Sequence, residues 1–180
     1  MAAQTPNDYT ITPANTEDLQ ALLQLYREVA AIEGGLARRA GEITEAYMTH
    51  IVREAQRSGL QLVAREAATG ALLGEIHTYA LGPQVFAHVL GELTIAVHPA
   101  QQGRGIGKAL FTTLLERIQH ARPDILRVEL IARESNQKAI AFYQQLGFQI
   151  EGRFNRRIQS AGGGYEADIP MAWLRATTDA

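Results

Sequence analysis

A glycine-dense stretch is the part of this sequence best suited to hold an anion. Glycine has no Cβ, so its backbone can approach a ligand closely. A predicted helix follows, and the first N–H groups of a helix lack partners while the helix dipole favours negative charge. Two basic side chains add formal positive charge, so a phosphate or pyrophosphate site is predicted. The residues are Gln102, Gly103, Arg104, Gly105, Ile106, Gly107 and Lys108.

Two well-known phosphate loops do not fit this stretch. A Walker A loop has four residues between its first glycine and the Gly-Lys pair, but Gly103 and Gly107 enclose three. The dinucleotide fingerprint has a small residue three positions after its second glycine, where this chain has Lys108. What fits is a Gln-x-x-Gly-x-Gly pattern beginning at Gln102. A glycine-rich turn without a ligand remains the alternative.

The elements that position this stretch follow from hydrophobic periodicity. Apolar residues alternate with others from Glu92 to Val97, a period of two that is typical of a strand. Pro99 ends the strand because proline cannot donate a ladder hydrogen bond. Helical spacing begins at Ile106, and the apolar residues that follow it are Leu110, Leu114, Leu115 and Ile118.

A second candidate binding segment is a helix predicted to begin near Asn136 and to end at Gly147. Positions seven apart return to nearly the same helix face, so Asn136 and Tyr143 project together. An amide and a phenol on one face suit an amide-rich ligand that carries a leaving sulfur. A capping asparagine with a half-buried tyrosine is the alternative.

The order of the remaining elements predicts the fold class. Strands are predicted at about 9–12, 60–65, 72–79, 126–132, 148–150 and 165–173, and helices at about 16–33 and 43–56. This order predicts one domain, residues 1–180, with frayed tails at 1–7 and 176–180. Its mixed α/β fold has a twisted, mostly antiparallel sheet of about seven strands, a central parallel pair and helices on both faces.

Composition excludes several functional classes. The 180 residues contain no cysteine, which removes disulfides, thiol nucleophiles and cysteine-ligated zinc. The five histidines show no ligand spacing, so no metal is predicted. A net charge of −2 without a long run of one sign favours neither nucleic acid nor an anionic membrane as partner. No signal-like or membrane-spanning apolar run occurs, which leads us to expect a cytoplasmic protein.

Taken together, the two motifs resemble the acetyl-CoA segments of the GNAT superfamily of N-acetyltransferases. The second motif reads Asn-x-x-Ala-x-x-x-Tyr from Asn136 to Tyr143 and is followed by Gly147 and Phe148. The resemblance extends from Ile11 to Trp173. Its closing portion, 150–153 and 165–172, looks like the bacterial branch that acetylates free amino acids, small amines or protein N-termini.

The resemblance implies a cofactor site and a cleft where the central parallel strands separate. The backbone of Ile95, Ala96 and Val97 would pair with the pantetheine arm, and residues 102–108 would hold the pyrophosphate. Asn136 would contact the cofactor arm, and Tyr143 would lie beside the thioester sulfur. A homodimer is left open, as are the acceptor and the acyl-chain preference.

Two side chains are candidates for proton transfer during acetyl transfer to an amine. Tyr143, with an ordinary pKa of about 10, can hold its proton at neutral pH and give it to a thiolate. Glu92 is the best candidate base, with a solvated strand carboxylate as the alternative, and backbone N–H groups of 92–97 would polarise the carbonyl. Weaker candidates are Glu33, Glu129 and the histidines.

Two further points stay open. The basic residues Arg153, Arg156 and Arg157 would meet phosphates or an acidic acceptor, or form a solvated face. The rival function is a non-catalytic acyl-CoA-binding regulatory module of the same fold. Retention of both Tyr143 and Glu92 argues against that module.

Overall fold

The computed structural model describes residues 8–32, 34–160 and 163–176. The predicted frayed tails lie outside this part of the chain, apart from Ala176, as does the weaker candidate base Glu33. Four α-helices and eight strands are found in the described ranges: β1 Tyr9–Pro13, α1 Leu19–Ala30, α2 Glu45–Ser58, β2 Leu60–Glu66, β3 Leu72–Ala80, β4 Val89–Val97, α3 Ile106–Ala121, β5 Arg127–Arg133, α4 Gln137–Gln145, β6 Gln149–Ile150, β7 Phe154–Gln159 and β8 Tyr165–Leu174.

All eight strands belong to one sheet. Its order is β1-β2-β3-β4-β5-β8-β6, and β7 also pairs with β8. Every pairing is antiparallel except β4 with β5, so the predicted central parallel pair and fold class are confirmed. The strand that was not foreseen is β7, because its residues are almost all exposed and show no apolar alternation.

Two helical layers cover the sheet, as predicted. α1 and α2 pack on one face with a core that includes Leu22, Tyr26, Met48, Ile51, Val63 and Ala96. α3 and α4 lie on the other face with Ile76, Leu90, Leu93, Leu110, Phe111 and Ile140. The central strand β4 therefore contributes to both cores, which explains why Ala96 is as buried as the apolar residues beside it.

The two central parallel strands touch only at their beginnings. Val89 pairs with Arg127 and Leu90 with Val128, and the pairing then stops. From Gly91 onward β4 is hydrogen-bonded along β3, while β5 continues along β8. The sheet consequently opens between β4 and β5, which confirms the expected cleft.

Candidate active site

The glycine stretch forms the mouth of a groove of about 520 Å³ beside the cleft, here called the glycine groove. Gly103 and Gly105 adopt left-handed backbone conformations, with φ of 82° and 80°, which other L-residues rarely adopt. Gly105 is the N-cap of α3, so the turn aims the free N–H groups of that helix at the groove. The lining residues include Ile95, Val97, Gln102, Gly103, Gly105, Ile106, Gly107, Lys108, Asn136 and Tyr143.

The positive charge at this turn comes from one side chain rather than from two. Arg104 forms an ion pair with Asp8 and a hydrogen bond with Gln101, and its side chain does not line the glycine groove. Lys108 is exposed and lines the groove. The attraction for an anion therefore arises from Lys108 together with the N-terminus of α3.

One edge of β4 is free to bind a peptide-like ligand. The N–H of His98 donates to the carbonyl of Leu73 at 2.9 Å, which makes these two residues a hydrogen-bonded antiparallel pair. Such pairs alternate along a ladder, so Ile95 and Val97 turn their N–H and C=O groups away from β3. Those groups face the gap left by β5, where the resemblance expects the pantetheine arm.

On α4, Tyr143 lies half-buried in an aromatic cluster. Its ring centroid is 5.2 Å from that of Phe111, 5.7 Å from that of Phe142 and 6.2 Å from that of Phe148. Burial among these rings raises the pKa of the Tyr143 hydroxyl above its usual value of 10. The hydroxyl is therefore protonated at neutral pH and can act as an acid.

The first residue of the second motif caps the helix that carries Tyr143. The Oδ1 atom of Asn136 accepts a hydrogen bond from the N–H of Ala139 at 3.2 Å. The capping role considered from sequence is thus present. Because Asn136 also lines the glycine groove, capping and ligand contact do not exclude each other.

A second cavity of about 440 Å³ continues from the glycine groove into the cleft between β4 and β5. Both spaces share six lining residues, among them Ile95 and Tyr143. Tyr143 consequently lies at the junction of the two. We call the second space the charged cavity because its lining includes Arg38, Glu92, Glu129, Arg133, Arg157 and Asp168.

Glu92 reaches the charged cavity through a bulge in β4. The β3–β4 register shifts between His77 and Tyr79, and Glu92 adopts a left-handed φ of 51°. As a result Leu90 and Leu93, three residues apart, both join the core under α3. The strict alternation predicted from Glu92 to Val97 is therefore broken at its first residue, and the Glu92 side chain is exposed.

Nearby tyrosines respond to the charge of Glu92. Burial, followed by the Glu92 carboxylate, raises the pKa of Tyr79 to about 12. Burial also raises the pKa of Tyr47, and Glu92 adds to that increase while Arg38 opposes it. The Glu92 carboxylate therefore acts electrostatically on both phenols, and the Arg38 guanidinium opposes it.

A family profile decides what kind of protein this is. The profile of the Acetyltransferase (GNAT) family matches residues 20–148, which is more than half of the chain. The chain belongs to the GNAT acetyltransferase family. The match covers the glycine stretch and the segment from Asn136 to Phe148, the two motifs on which the resemblance was recognised.

Sequence relatives include two N-acetyltransferases. The N-alpha-acetyltransferase RimI of Mycobacterium tuberculosis is 41% identical over 69 residues, 38% of this chain and 40% of that protein. A ribosomal protein bS18-alanine N-acetyltransferase of Salmonella typhimurium is 37% identical over 87 residues, 47% of this chain and 57% of that protein. This GNAT chain thus aligns with about half the length of these curated relatives.

Solved structures show the same fold over nearly the whole chain. A GNAT superfamily phosphinothricin acetyltransferase from Sinorhizobium meliloti, in complex with AcCoA, has a TM-score of 0.83 at 21% identity, covering 96% of this chain and 92% of that chain. A ribosomal-protein-alanine N-acetyltransferase from Brucella melitensis has a TM-score of 0.79 at 22% identity, with coverages of 92% and 99%.

Several side chains of the charged cavity escaped the sequence-based prediction for this GNAT protein. Arg38 lies in the loop between α1 and α2, Tyr47 on α2, Arg133 at the end of β5 and Asp168 on β8. None of them belongs to a motif. Only the folding of four separate segments around β4 brings them together.

The described ranges contain no cluster of three or more histidine, aspartate or glutamate side chains suited to a metal ion. None of the helices in those ranges is both long and apolar enough to cross a membrane.

Proposed function

We propose that this GNAT protein transfers an acetyl group directly from acetyl-CoA to a primary amine of a small molecule, an amino acid or a peptide. The observation that carries the proposal is the position of Tyr143 at the junction of the glycine groove and the charged cavity. A phenolic acid there lies between a space suited to a pyrophosphate-bearing thioester and a space lined by Glu92.

Several features of the glycine groove support acetyl-CoA as the acyl donor. The pyrophosphate would meet the α3 N-terminus and Lys108, bound through the backbone of Gln102, Gly103, Arg104, Gly105, Ile106, Gly107 and Lys108. The amides of the pantetheine arm would bind the free β4 groups of Ile95 and Val97, with the backbone of Ala96 between them. Asn136 would contact the same arm.

Tyr143 at the junction and Glu92 in the charged cavity provide the proton transfers of the reaction. The amine nitrogen attacks the thioester carbonyl, a C–N bond forms and the C–S bond breaks. Tyr143 gives its proton to the departing thiolate. Glu92, directly or through water, accepts the proton that the ammonium form loses before the attack and passes it to solvent, and it then accepts the second proton that the nitrogen loses after the attack. Backbone N–H groups of β4 would stabilise the charge that develops on the carbonyl oxygen. Solvent exchange then returns each group to its starting protonation state.

The deciding experiment mixes acetyl-CoA with a panel of primary amines and follows the release of free thiol. An N-acetyltransferase releases thiol only when an acceptor is present. The rival regulatory module would bind acetyl-CoA, seen as a rise in Tm, without releasing thiol in the presence of any amine. A cytoplasmic location, a homodimer and the assignment of 1–180 as one domain stay predictions from the sequence.

A further inference from the structure

Most charges in the charged cavity are neutralised by partners. Arg133 pairs with Glu166 at 3.2 Å, and Arg157 with Asp168 at 3.4 Å. Glu129 is paired with Arg127 at 2.6 Å. Of the six charged residues that line the cavity, Arg38 and Glu92 are the two that form no ion pair with another described residue.

The uncommitted guanidinium is held by an aromatic ring instead of a carboxylate. The Cζ atom of Arg38 lies 4.3 Å from the centroid of the Tyr47 ring, a cation–π contact. A guanidinium carries its N–H donors in a planar fork that matches the two oxygens of a carboxylate. No described carboxylate forms an ion pair with Arg38, so this fork is available to an anionic group of a ligand.

Arg38 and Glu92 both line the charged cavity. Each also affects the pKa of Tyr47 and of Tyr79, the arginine lowering it and the glutamate raising it. The cavity therefore presents one cationic and one anionic side chain that no other described residue pairs with.

We propose that the acceptor is an amine that also carries a carboxylate, as a free amino acid does. The ammonium group would bind at Glu92 before it loses its proton, and the carboxylate would bind the edge of the Arg38 guanidinium. This inference rests on the proposed acetyl transfer. An acceptor without the carboxylate, such as a simple amine or a peptide N-terminus, leaves Arg38 unmatched and is selected against.

The test compares amino acids with the corresponding amino-acid amides, which keep the amine and the side chain and lose the negative charge. We expect kcat/KM, followed by thiol release, to be about 10- to 100-fold higher for the acids, the range of one charge-assisted hydrogen-bonded contact. Arg38→Gln should remove this preference, mainly by raising KM for the acids, so that kcat/KM falls much more for the acids than for the amides.

A neighbouring arginine provides a matched control. Arg39 lies in the same loop, but its backbone N–H is bound to Glu42 and its side chain does not line the charged cavity. Arg39→Gln removes the same charge and should keep the preference for acids. Equal kcat/KM for acids and amides in the parent, a preference for peptide N-termini, or equal losses in the two variants would each overturn the proposal.

Binding measurements separate this proposal from the proposed reaction. Calorimetric titration of acids and amides into the protein saturated with CoA requires no turnover. If acids bind more tightly than amides, and this difference is lost in Arg38→Gln and kept in Arg39→Gln, the carboxylate site is supported. This holds even if no amine releases thiol. The absence of thiol release would refute acetyl transfer but not the carboxylate site. Thiol release without any difference between acids and amides would refute the carboxylate site alone.

Discussion

The glycine groove and the charged cavity meet at Tyr143 but are built in different ways. The groove depends on two short continuous motifs and on backbone groups, and Lys108 is the single charged side chain among the described residues that line it. The cavity has six charged side chains from separate segments. A ligand part common to a whole family can be held by backbone geometry, whereas selection among acceptors needs side chains that vary independently.

The buried residues that pack near the two regions differ as well. Tyr143 at the end of the groove packs against phenylalanine rings. On the α1–α2 face of β3, by contrast, lies a buried polar cluster: the Tyr26 hydroxyl donates to Glu75 Oε2 at 2.5 Å, and Gln61 Nε2 donates to Glu75 Oε1 at 2.8 Å. His77 Nδ1 lies 3.0 Å from Glu75 Oε1, and its ring stacks on Tyr79.

The largest expected effect comes from the residue that joins the two regions. Tyr143→Phe keeps the aromatic packing and removes the proton, so kcat should fall by roughly 10²–10⁴-fold. Burial raises the pKa of Tyr143, so kcat of the parent should not decline below pH 10 through loss of the Tyr143 proton. A decline of kcat above pH 10 that comes from this group should be absent in the variant. Steady-state kinetics across pH measures both.

The Tyr143→Phe result needs a binding control. The affinity for acetyl-CoA should hardly change, since the groove keeps its shape. An unchanged kcat would reduce Tyr143 to a packing residue and would remove the feature that distinguishes the junction.

The next effect tests the backbone character of the glycine groove. Gly107 is helical, and a Cβ there would lie 3.6 Å from Val97, an ordinary contact without backbone strain. Gly107→Glu places a negative charge where the pyrophosphate is proposed to bind. Two unit charges 4 Å apart repel by about 4 kcal/mol at an effective dielectric constant of 20, before salt screening. We therefore expect the Kd for acetyl-CoA to rise on the order of 100-fold by calorimetry.

Gly107→Gln separates charge from size in that experiment. It has nearly the same volume as the glutamate variant and should bind acetyl-CoA clearly more tightly. If both variants lose binding equally, steric closure rather than the anion site explains the effect. If both bind like the parent, the pyrophosphate lies elsewhere.

A smaller effect is expected from the candidate base in the charged cavity. An amine is mostly protonated at neutral pH, so Glu92→Gln should lower kcat/KM at pH 7 by about tenfold or more. The loss should shrink as the pH approaches the pKa of the acceptor amine, where free amine needs no base. A variant with the parent rate and pH profile would assign deprotonation to solvent or to another group.

The smallest effect concerns the buried cluster under β3. Tyr26→Phe removes one hydrogen bond from Glu75, which is completely buried, and should lower the free energy of unfolding by about 1–3 kcal/mol in a urea titration. Tyr165→Phe is the matched control, because that side chain is 63% exposed and should change stability by less than about 0.5 kcal/mol. Equal stabilities would mean that Glu75 does not depend on Tyr26.

Much of the local structure that forms the glycine groove followed from the sequence because its information is local. Gly103 and Gly105 take positive φ angles just before α3, and Gly147 ends α4 with φ of 93°. Glycine adopts this backbone conformation without strain, so its positions mark such turns in the sequence. Asn136 and Tyr143 share a face through helix periodicity alone. The strand, turn and helix order was likewise readable, because hydrophobic periods of 2 and 3.6 are properties of adjacent residues.

Only the tertiary structure decided the charged cavity, the proposed acceptor half of the site. The bulge at Glu92 arises from register against β3, and β7 is stabilised by pairing with the edge of β8 rather than by its own pattern. The sequence indicated Arg104 as a source of positive charge for a phosphate, but in the structure Arg104 forms an ion pair with Asp8, which is distant in sequence. Arg38 and Glu92 are far apart in the sequence, and both line one cavity because β4 and β5 separate. Contacts of this kind depend on long-range packing, which no local period encodes.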